Sequence, residues 1–256
     1  EVGLEKGGIV DEETLDASDS AVGIDPNNPL YQWALRHEHG PILWKWNEYF
    51  DMYHRSFSRF RGKSPVVLLL GVNTGGDLFL FRWYFGPGVK IYGVDINDEC
   101  KAFGEEDDIE IFIGDQSNQE FLAGVLKSIG QPLDIVLDDA SHTSWLTIKS
   151  MEVLWPALKP KTGVYVVEDT HNQAEIMELL AGVARAQTLG LRRGKDLCVR
   201  LGDLCRESHE VLFSYGMIVI QKNGSPSQKD NKYGDERLPF EWRGKAPTKP
   251  RNGAKD

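Results

Sequence analysis

The sequence is poor in cysteine. Only three cysteines occur among 256 residues, Cys100, Cys198 and Cys205, and no two of them form a Cys-x-x-Cys pair. An odd number without that spacing is not typical of a disulfide framework or of a structural zinc site. The cysteine pattern therefore favours reduced thiols and a cytoplasmic protein.

Positive charge and long hydrophobic runs are also scarce. The chain has 29 Lys and Arg against 39 Asp and Glu, a formal net charge of −10. Binding to phosphates needs a concentrated basic surface, so we expect no nucleic-acid partner. The apolar run around Val66–Leu70 is far shorter than the roughly 18–20 residues that cross a bilayer, so we expect no membrane helix. Residues 1–20 lack the pattern of a secretory signal, although the first residue is Glu1 and an upstream segment could have been removed.

The remaining composition, 41% hydrophobic and 27% charged, is that of a globular protein. Its length fits one large α/β domain with extensions. We expect a flexible acidic arm over residues 1–28 and a globular domain over 29–222, which opens with an aromatic, helical segment at 29–62. Residues 223–256, rich in Pro, Gly and Lys, are expected to be a disordered or loosely docked tail.

Short apolar runs alternate with helix-like segments through the middle of the chain. The runs lack period-two alternation, which is typical of strands buried on both faces of a parallel sheet. They are Val66–Leu70, Lys90–Val94, Ile109–Ile113, Ile135–Leu137 and Val164–Val167. The helix-like segments are Leu78–Phe85, Gln119–Ser128, Trp145–Leu158 and Ala174–Ala186. This alternation predicts a doubly wound α/β fold.

Two further segments complete the predicted fold. Aromatic residues from Phe50 to Phe60 recur at spacings of three and four, which predicts a helix packed by one face on the domain. Residues 208–222 predict two strands joined by a turn at Tyr215 and Gly216. We expect the last strand to run antiparallel to an otherwise parallel sheet.

A glycine-rich loop follows the first predicted strand. It contains Gly71, Val72, Asn73, Gly75 and Gly76. Glycines let the backbone turn sharply and let a ligand approach the N–H groups at a helix N-terminus. Such a loop alone is weak evidence, because a plain tight turn has the same composition.

Polar residues at the ends of the next two strands strengthen this interpretation. Asp95, followed by Ile96, ends the second strand, where a carboxylate can accept both hydroxyls of a ribose. Asp115, Gln116 and Ser117 follow the third strand and suit an adenine amino group. Each acid alone is more often a helix N-cap, but all of them in register favour a nucleotide-like cofactor.

Acidic clusters follow the fourth and fifth strands. Asp138 and Asp139 follow the fourth strand, and Glu168 and Asp169 follow the fifth. Neighbouring strands lie about 5 Å apart, so these carboxylates converge and would repel one another without a cation. An all-oxygen set suits Mg²⁺. The alternative is that the acids are solvated helix caps.

Two histidines are candidate general bases beside these acids. His142 lies three residues after Asp139, and an imidazole takes up a proton near neutral pH. His171 follows the second acidic pair and is the competing candidate. A hydroxyl close to a divalent cation is acidified, so that His142 could deprotonate it.

The runs GVNTGG, YGVDI, IGDQ, LDDASH and VVEDTH occur in this order and together resemble class I S-adenosylmethionine-dependent methyltransferases. Within that family the chain is most similar, over roughly residues 29–222, to metal-dependent sugar O-methyltransferases of macrolide biosynthesis. The resemblance implies a Rossmann-like sheet of seven strands, mostly parallel with an antiparallel last strand. It also implies S-adenosylmethionine and Mg²⁺, or another divalent cation, as cofactors.

The resemblance assigns roles to individual residues. The Gly71–Gly76 loop would hold the methionine part of the cofactor, Asp95 its ribose, and Asp115 with Gln116 its adenine. Val72, Ile96, Ser117 and Asp138 complete the predicted cofactor set. The metal ligands would be Asp139, Glu168 and Asp169, and the general base would be His142.

Two positions depart from the family pattern. Leu70 stands where an acid usually precedes the loop, and Asp77 stands where a small serine is common. A leucine cannot accept a hydrogen bond from the cofactor's amino group. Asp77, one helical turn away, is the candidate to supply that carboxylate instead.

The sequence favours an O-methyltransferase that acts on a hydroxyl of a small sugar-containing or polyketide-like molecule. The alternative is a regulatory or binding protein that keeps the fold without turnover, which Leu70 motivates. An oxidoreductase that uses a nicotinamide cofactor is disfavoured, because the sequence lacks a Gly-x-Gly-x-x-Gly turn. A hydroxylase is disfavoured because the sequence has no evident iron-binding set of two histidines and one carboxylate. We expect the acceptor to contact residues 29–60 and the loops after residue 170. The sequence does not decide whether the protein is a monomer or a homo-oligomer.

Overall fold

The computed structural model describes residues 24–106, 108–189 and 202–222. The chain divides into two units, Glu1–Ser225 and Pro226–Asp256, and every described residue belongs to the first. Of the predicted acidic arm at 1–28, residues 1–23 lie outside the described residues, as does the predicted tail at 223–256. At the end of the arm, Asp25 and Asn28 hydrogen-bond to Asp51 at 3.1 and 2.7 Å.

A seven-stranded sheet with the order β3-β2-β1-β4-β5-β7-β6 forms the centre of the domain. Its strands are β1 (Val66–Leu70), β2 (Lys90–Asp95), β3 (Ile109–Ile113), β4 (Ile135–Asp138), β5 (Val164–Val167), β6 (Ser208–Ser214) and β7 (Met217–Lys222). The strands β1 to β5 are parallel, and β7 pairs antiparallel with both β5 and β6. The predicted fold class is confirmed.

The predicted strands match the observed ones closely. Three have the predicted bounds, while β2 and β4 each extend by one residue, to Asp95 and Asp138. This extension makes an acid the last residue of each strand. Chain order reverses between β1 and β4, and this switch point is where open α/β sheets bind ligands.

Helices cover both faces of the sheet. They are α1 (Pro29–Arg36), α2 (Tyr49–Phe57), α3 (Gly76–Phe85), α4 (Gln119–Ile129), α5 (Ser144–Ala157), α6 (Ala174–Leu189) and α7 (Gly202–Glu207), with short 3-10 segments at Ser58–Phe60, Asp98–Glu105 and Thr170–Asn172. Asn28 caps α1 and Asn118 caps α4 through their side chains. The helix α1 lies within the segment 29–62 that was expected to be helical, whereas the sequence analysis missed α7 and the Asp98–Glu105 segment.

Two hydrophobic layers flank the sheet because alternate strand residues face opposite sides. Leu68 and Leu70 pack with α4, α5 and α6 on one face. Leu69 packs with α1, α2 and α3 on the other, where Tyr53 and Phe57 are fully buried. A large apolar side chain buried in this way stabilises the fold by about 1.5–3 kcal/mol. The aromatic helix α2 is thereby fixed against the edge of the sheet that holds the acids.

Two further observations concern the state of the cysteines and the length of the helices. Cys100 is a buried free thiol, whereas Cys205 is disulfide-bonded, so the expectation of reduced thiols is wrong at Cys205. Within the described ranges, no helix combines the length and the apolar character needed to cross a membrane.

Candidate active site

A cleft of about 900 Å³ lies at the carboxyl ends of the parallel strands. The sequence-predicted residues that line it are Gly71, Asn73, Asp95, Ile96, Asp115, Gln116, Asp139, His142, Glu168 and Asp169. This size is within the range of sites for small molecules and cofactors. One cleft therefore brings together most of the residues assigned to cofactor, metal and base.

Five predicted cofactor residues do not line this cleft: Val72, Gly75, Gly76, Ser117 and Asp138. Four of them support the lining from behind. Val72 donates its N–H to Asp95, and Ser117 donates its N–H to Asp115 Oδ1 at 2.7 Å. A Cβ on Gly75 would collide with the Phe103 ring, and one on Gly76 would collide with the Ile42 carbonyl. These glycines are required by contacts inside the protein.

Asp95 organises the glycine-rich loop. The N–H groups of Val72 and Asn73 donate to its Oδ2 at 2.7 and 2.9 Å, and the Asn97 N–H donates to its Oδ1 at 2.8 Å. Partial burial opposes ionisation, but these backbone donors outweigh it and hold the pKa of Asp95 below its ordinary value. The loop after β1 is thus fixed by a carboxylate from β2 before any ligand binds.

Asp138 supports the loop that carries His142. Its Oδ1 accepts from Gln116 Nε2 at 3.1 Å, and its Oδ2 accepts from Ser150 and Tyr165 at 2.9 and 3.0 Å. Burial raises the pKa of Asp138. Gln116 Oε1 in turn accepts the Ser141 N–H at 3.0 Å. Asp138 therefore holds Gln116, and Gln116 holds the start of the histidine loop.

Asp139, His142 and Asp169 converge at one point. His142 Nε2 lies 4.0 Å from Asp139 Oδ1 and 3.8 Å from Asp169 Oδ2. Each residue offers one ligand atom, and these atoms all lie within 4.8 Å of one another. Two carboxylates completed by water are a typical Mg²⁺ site in proteins. Asp139 and Asp169 therefore fit a divalent cation, with the imidazole beside it.

The backbone at this point is strained. His142 and Asp169 have φ angles of +50° and +48°, and Asn73 across the cleft has +48°. The left-handed region is less favourable for residues with a Cβ, although Asn, Asp and His adopt it more readily than most, and residues held there are enriched at functional sites. The fold holds these three side chains in place at a conformational cost.

Lys45 is the main feature that the sequence analysis missed. Its side chain is 2% exposed, and its ammonium contacts Asp77 at 3.0 Å, Glu168 at 2.6 Å and also Asp139. We expected a bound divalent ion alone to relieve the repulsion among these acids. The protein instead supplies a cation of its own at two of the predicted metal ligands.

Two tyrosines of α2 complete the hydrogen bonding of the second acidic pair. Tyr53 donates its hydroxyl to Glu168 Oε1, and Tyr49 donates to Asp169 Oδ1 at 2.7 Å. Both oxygens of Glu168 are thus engaged, one by Tyr53 and the other by Lys45. Asp169 Oδ2 instead faces His142. The spacing of four residues places Tyr49 and Tyr53 on the same face of α2, whereas Lys45 precedes this helix and no spacing marks it.

Burial and charge attraction act in opposite directions around Lys45. Desolvation raises the pKa of Glu168 well above its ordinary value, and Asp139 repels its negative charge further. Desolvation also raises the pKa of Asp77. Burial alone would lower the pKa of Lys45, but the attraction of Asp77, Glu168 and Asp139 together raises it. The ammonium therefore keeps its charge and offsets part of the cost of burying these acids together.

The remaining predictions concern Leu70, Asp77 and His171. Leu70 is fully buried in the hydrophobic layer. Asp77 Oδ2 pairs with Lys45, while its Oδ1 is buried without a hydrogen-bond partner among the described residues. The His171 ring packs against Trp46 and Tyr215 with centroids 5.8 and 4.7 Å apart, and His171 does not line the cleft. This geometry favours His142 over His171 as the base.

Comparison with known proteins identifies relatives by sequence. No protein-family model matches the chain. A rhamnosyl tetracenomycin-C 2'-O-methyltransferase of Streptomyces olivaceus is 37% identical over 143 residues, 53% of this chain and 36% of that protein. Demethylmacrocin O-methyltransferase of Streptomyces fradiae is 36% identical over 149 residues, 56% of this chain and 35% of that protein. The chain thus spans about a third of the length of these relatives.

The fold has solved counterparts as well. The MycE methyltransferase of the mycinamycin biosynthetic pathway, solved with Mg and SAH, superposes with a TM-score of 0.61 at 24% identity, over 80% of this chain and 57% of that one. Its complex with Mg, SAH and mycinamycin VI gives 0.58 at 26% identity, with the same coverage. The chain therefore has the fold of class I S-adenosylmethionine-dependent methyltransferases and is related by sequence, over about half of its length, to their sugar O-methyltransferases.

Proposed function

We propose that this protein transfers a methyl group from S-adenosylmethionine to a hydroxyl of a small natural product or sugar, assisted by Mg²⁺ or another divalent cation. The observation that carries the proposal is a single cleft that is lined by the loop after β1, by Asp95, and by the group of Asp139, His142 and Asp169. The named activity of the sequence relatives supports it, since both are O-methyltransferases.

In this proposal the cofactor occupies the side of the cleft formed by β1, β2 and β3. Asp95 and the N–H groups of the loop it fixes would bind the ribose and the methionine part, and Asp115 would face the adenine. Asp77 is the candidate to bind the cofactor's amino group. Leu70 is buried and apolar, whereas Asp77 Oδ1 lacks a hydrogen-bond partner in the described structure. Ile96, 77% exposed in the cleft, offers an apolar surface to the adenine ring.

His142 is the proposed general base on the other side. Its ring is half exposed and faces the two carboxylate oxygens that suit a cation. The cofactor supplies an activated methyl group, and the cation lowers the pKa of a nearby hydroxyl. His142 Nε2 would accept the hydroxyl proton as the methyl group is transferred to the oxygen. The fixed positions of these groups contribute by orienting the reactants.

The test is methyl transfer from labelled S-adenosylmethionine to a panel of glycosylated macrolide and polyketide acceptors, measured by mass spectrometry with and without a chelator. We expect a methylated product that is lost on chelation and restored by Mg²⁺. Turnover that is unchanged by chelation would disprove the metal role. Failure to bind S-adenosylhomocysteine in a calorimetric titration would disprove the cofactor assignment.

A second candidate is a protein that binds the cofactor without catalysing transfer. The specific observation in its favour is that Lys45 already contacts Asp139 and Glu168, two of the three predicted metal ligands. This candidate predicts binding of S-adenosylhomocysteine without product for any acceptor in the panel. The same two measurements therefore separate the two functions.

A further inference from the structure

Lys45 is held at the carboxylates by the fold itself. The Thr74 hydroxyl donates to the Ile42 carbonyl at 2.7 Å, which ties the segment before Lys45 to the loop after β1. Gly76 has no Cβ, and one would collide with Ile42 and Leu43. The chain before Lys45 therefore lies directly on the start of α3. These contacts fix the chain that leads to Lys45, so the ammonium is not carried by a flexible surface segment.

The contacts of Lys45 divide the acids into two groups. An ammonium has three N–H donors, and Lys45 directs them at Asp77, Asp139 and Glu168. Glu168 also accepts from Tyr53, so each of its oxygens has a donor. Asp169 has one oxygen engaged by Tyr49 and the other turned toward His142. Glu168 therefore faces Lys45, and Asp169 faces the possible cation site.

We propose that Lys45 is a positioning residue that keeps Glu168 out of the metal coordination shell, so that Asp139 and Asp169 are the carboxylate ligands of the divalent ion. The inference rests on the proposed function in assuming a divalent ion in this cleft. It changes the ligand set that the family resemblance implies, since Glu168 becomes the partner of Lys45 and Tyr53. Asp139 has a role in both groups, because one of its oxygens contacts Lys45 and the other faces His142.

A charge argument supports this division. Glu168 is 1% exposed, and a buried carboxylate without a partner is strongly unfavourable. To coordinate a metal, Glu168 would leave the ammonium of Lys45, whose side chain is itself only 2% exposed. Lys45 would then lose a charge partner inside the protein. A metal held by Asp139 and Asp169 leaves the buried pairs of Lys45 with Glu168 and with Asp77 intact.

The test measures Mn²⁺ binding to the full chain. The electron paramagnetic resonance signal gives the concentration of free Mn²⁺, and its decrease reports the amount bound. We expect Asp169→Asn to weaken Mn²⁺ binding by about ten-fold or more, because it removes a ligand. We expect Glu168→Gln to weaken it by less than about three-fold, since it changes only nearby charge. Equal losses for the two variants would overturn the proposal, and so would a wild-type protein that binds no Mn²⁺.

The Lys45→Met background sharpens this test. Without the ammonium, Glu168 is free to turn to the metal, so Glu168→Gln should now weaken Mn²⁺ binding by about ten-fold. A simple effect of nearby charge would give the same ratio in both backgrounds, and that result would overturn the proposal. Circular dichroism checks that each variant is folded.

Wild-type crystals soaked with Mn²⁺ provide a measurement that needs no variant. The anomalous signal should lie within bonding distance of Asp139 and Asp169, with Glu168 still on Lys45. Coordination by Glu168 would overturn the proposal. Calorimetric binding of S-adenosylhomocysteine in the presence of chelator tests the cofactor assignment separately, so the two ideas can fail independently.

Discussion

The two sides of the cleft hold their carboxylates in different ways. On the side of β1 and β2, Asp95 is bonded by backbone N–H groups that include those of Val72 and Asn73, 23 and 22 residues away. On the side of β4 and β5, Glu168 is bonded by the side chains of Lys45 and Tyr53, 123 and 115 residues away. The pKa of Asp95 lies below its ordinary value, whereas desolvation raises the pKa of Glu168.

This difference shows what each side depends on. Backbone donors next to Asp95 are present whenever the β1 loop forms, so the cofactor side is stabilised locally. The acidic side is complete only when the segment before α2 packs on the sheet and delivers Lys45. We therefore expect changes on the acidic side to affect stability and catalysis most, and changes on the cofactor side to affect ligand affinity.

Removing Lys45 should have the largest effect. Lys45→Met leaves the buried Glu168 and Asp77 without a counter-ion, and loss of one partner from a buried pair costs about 3–5 kcal/mol. Chemical denaturation followed by tryptophan fluorescence measures this loss. Lys127→Met, on the exposed face of α4, is the matched control and should change the unfolding free energy by less than about 0.5 kcal/mol. If both variants lose equally little, the acidic side does not depend on Lys45.

Removing the proposed base should abolish most turnover without unfolding the protein. His142→Ala is expected to lower the rate of methyl transfer by about 10²–10⁴-fold, the usual contribution of a positioned general base. Binding of S-adenosylhomocysteine should be retained, because the ribose and loop contacts lie on the other side.

His171→Ala is the control for this prediction. His171 stacks with Trp46 and Tyr215 and does not line the cleft, so its loss should leave most of the rate. Steady-state rates of the two variants with the same acceptor decide between them. A larger loss for His171→Ala would mean that the roles of the two histidines are reversed.

Asp95→Asn tests the cofactor side. It removes an acceptor from the N–H groups of Val72 and Asn73, so we expect affinity for S-adenosylhomocysteine to fall by about ten-fold. Calorimetric titration measures the change. Asp98→Asn, which alters an exposed acid three residues later, should leave the affinity unchanged.

The effect of Asp95→Asn on the unfolding free energy should also depend on pH. The folded-state pKa of Asp95 is lower than the unfolded value of about 3.9, so its ionisation contributes stability above that pH. The contribution is lost as the pH falls through the lower, folded-state pKa. The difference in unfolding free energy between wild type and Asp95→Asn should therefore be constant near neutral pH and shrink as the pH falls below about 3.9. The measurement compares neutral pH with the acidic range. A difference that is constant across this range would exclude the carboxylate as its source.

The sequence predicted the local features of both sides. Val66–Leu70 and Val164–Val167 were identified as strands because uninterrupted β-branched and aliphatic runs suit positions buried on both faces. The strand ends then placed Asp95, Asp139 and Asp169 at one edge. This part of the site follows from chain order and sheet direction alone.

Lys45 could not be predicted in this way. Its role depends on how the segment between α1 and α2 packs on α3. That packing is set by contacts of Ile42 with Thr74, 32 residues later, and with Gly76. The tryptophans on both sides of Lys45 indicated a cap or an acceptor surface, and neither suggests a buried ammonium. Asp138 belongs to the predicted cofactor set, but its side chain points behind the cleft to Gln116 and Tyr165.

The smallest effect on stability is expected at Trp44, where the acidic side continues into exposed aromatic surface. Trp44 lines the cleft and yet is 83% exposed, so Trp44→Ala should change the unfolding free energy by less than about 0.5 kcal/mol. An indole in this position can pack against the apolar face of a sugar or polyketide. We therefore expect the acceptor KM to rise by about three- to ten-fold, the loss of about 1 kcal/mol of contact, with the cofactor affinity unchanged.

Trp83→Ala separates this effect from a general loss of aromatic surface. Trp83 is 48% exposed, packs near Trp33 and does not line the cleft, so its loss should leave the acceptor KM unchanged. Steady-state kinetics with acceptor and cofactor varied in turn distinguish the two ligands. If Trp44→Ala weakens cofactor binding as well, the segment before α2 contacts both ligands. The division of the cleft into a cofactor side and an acidic, acceptor side would then not hold.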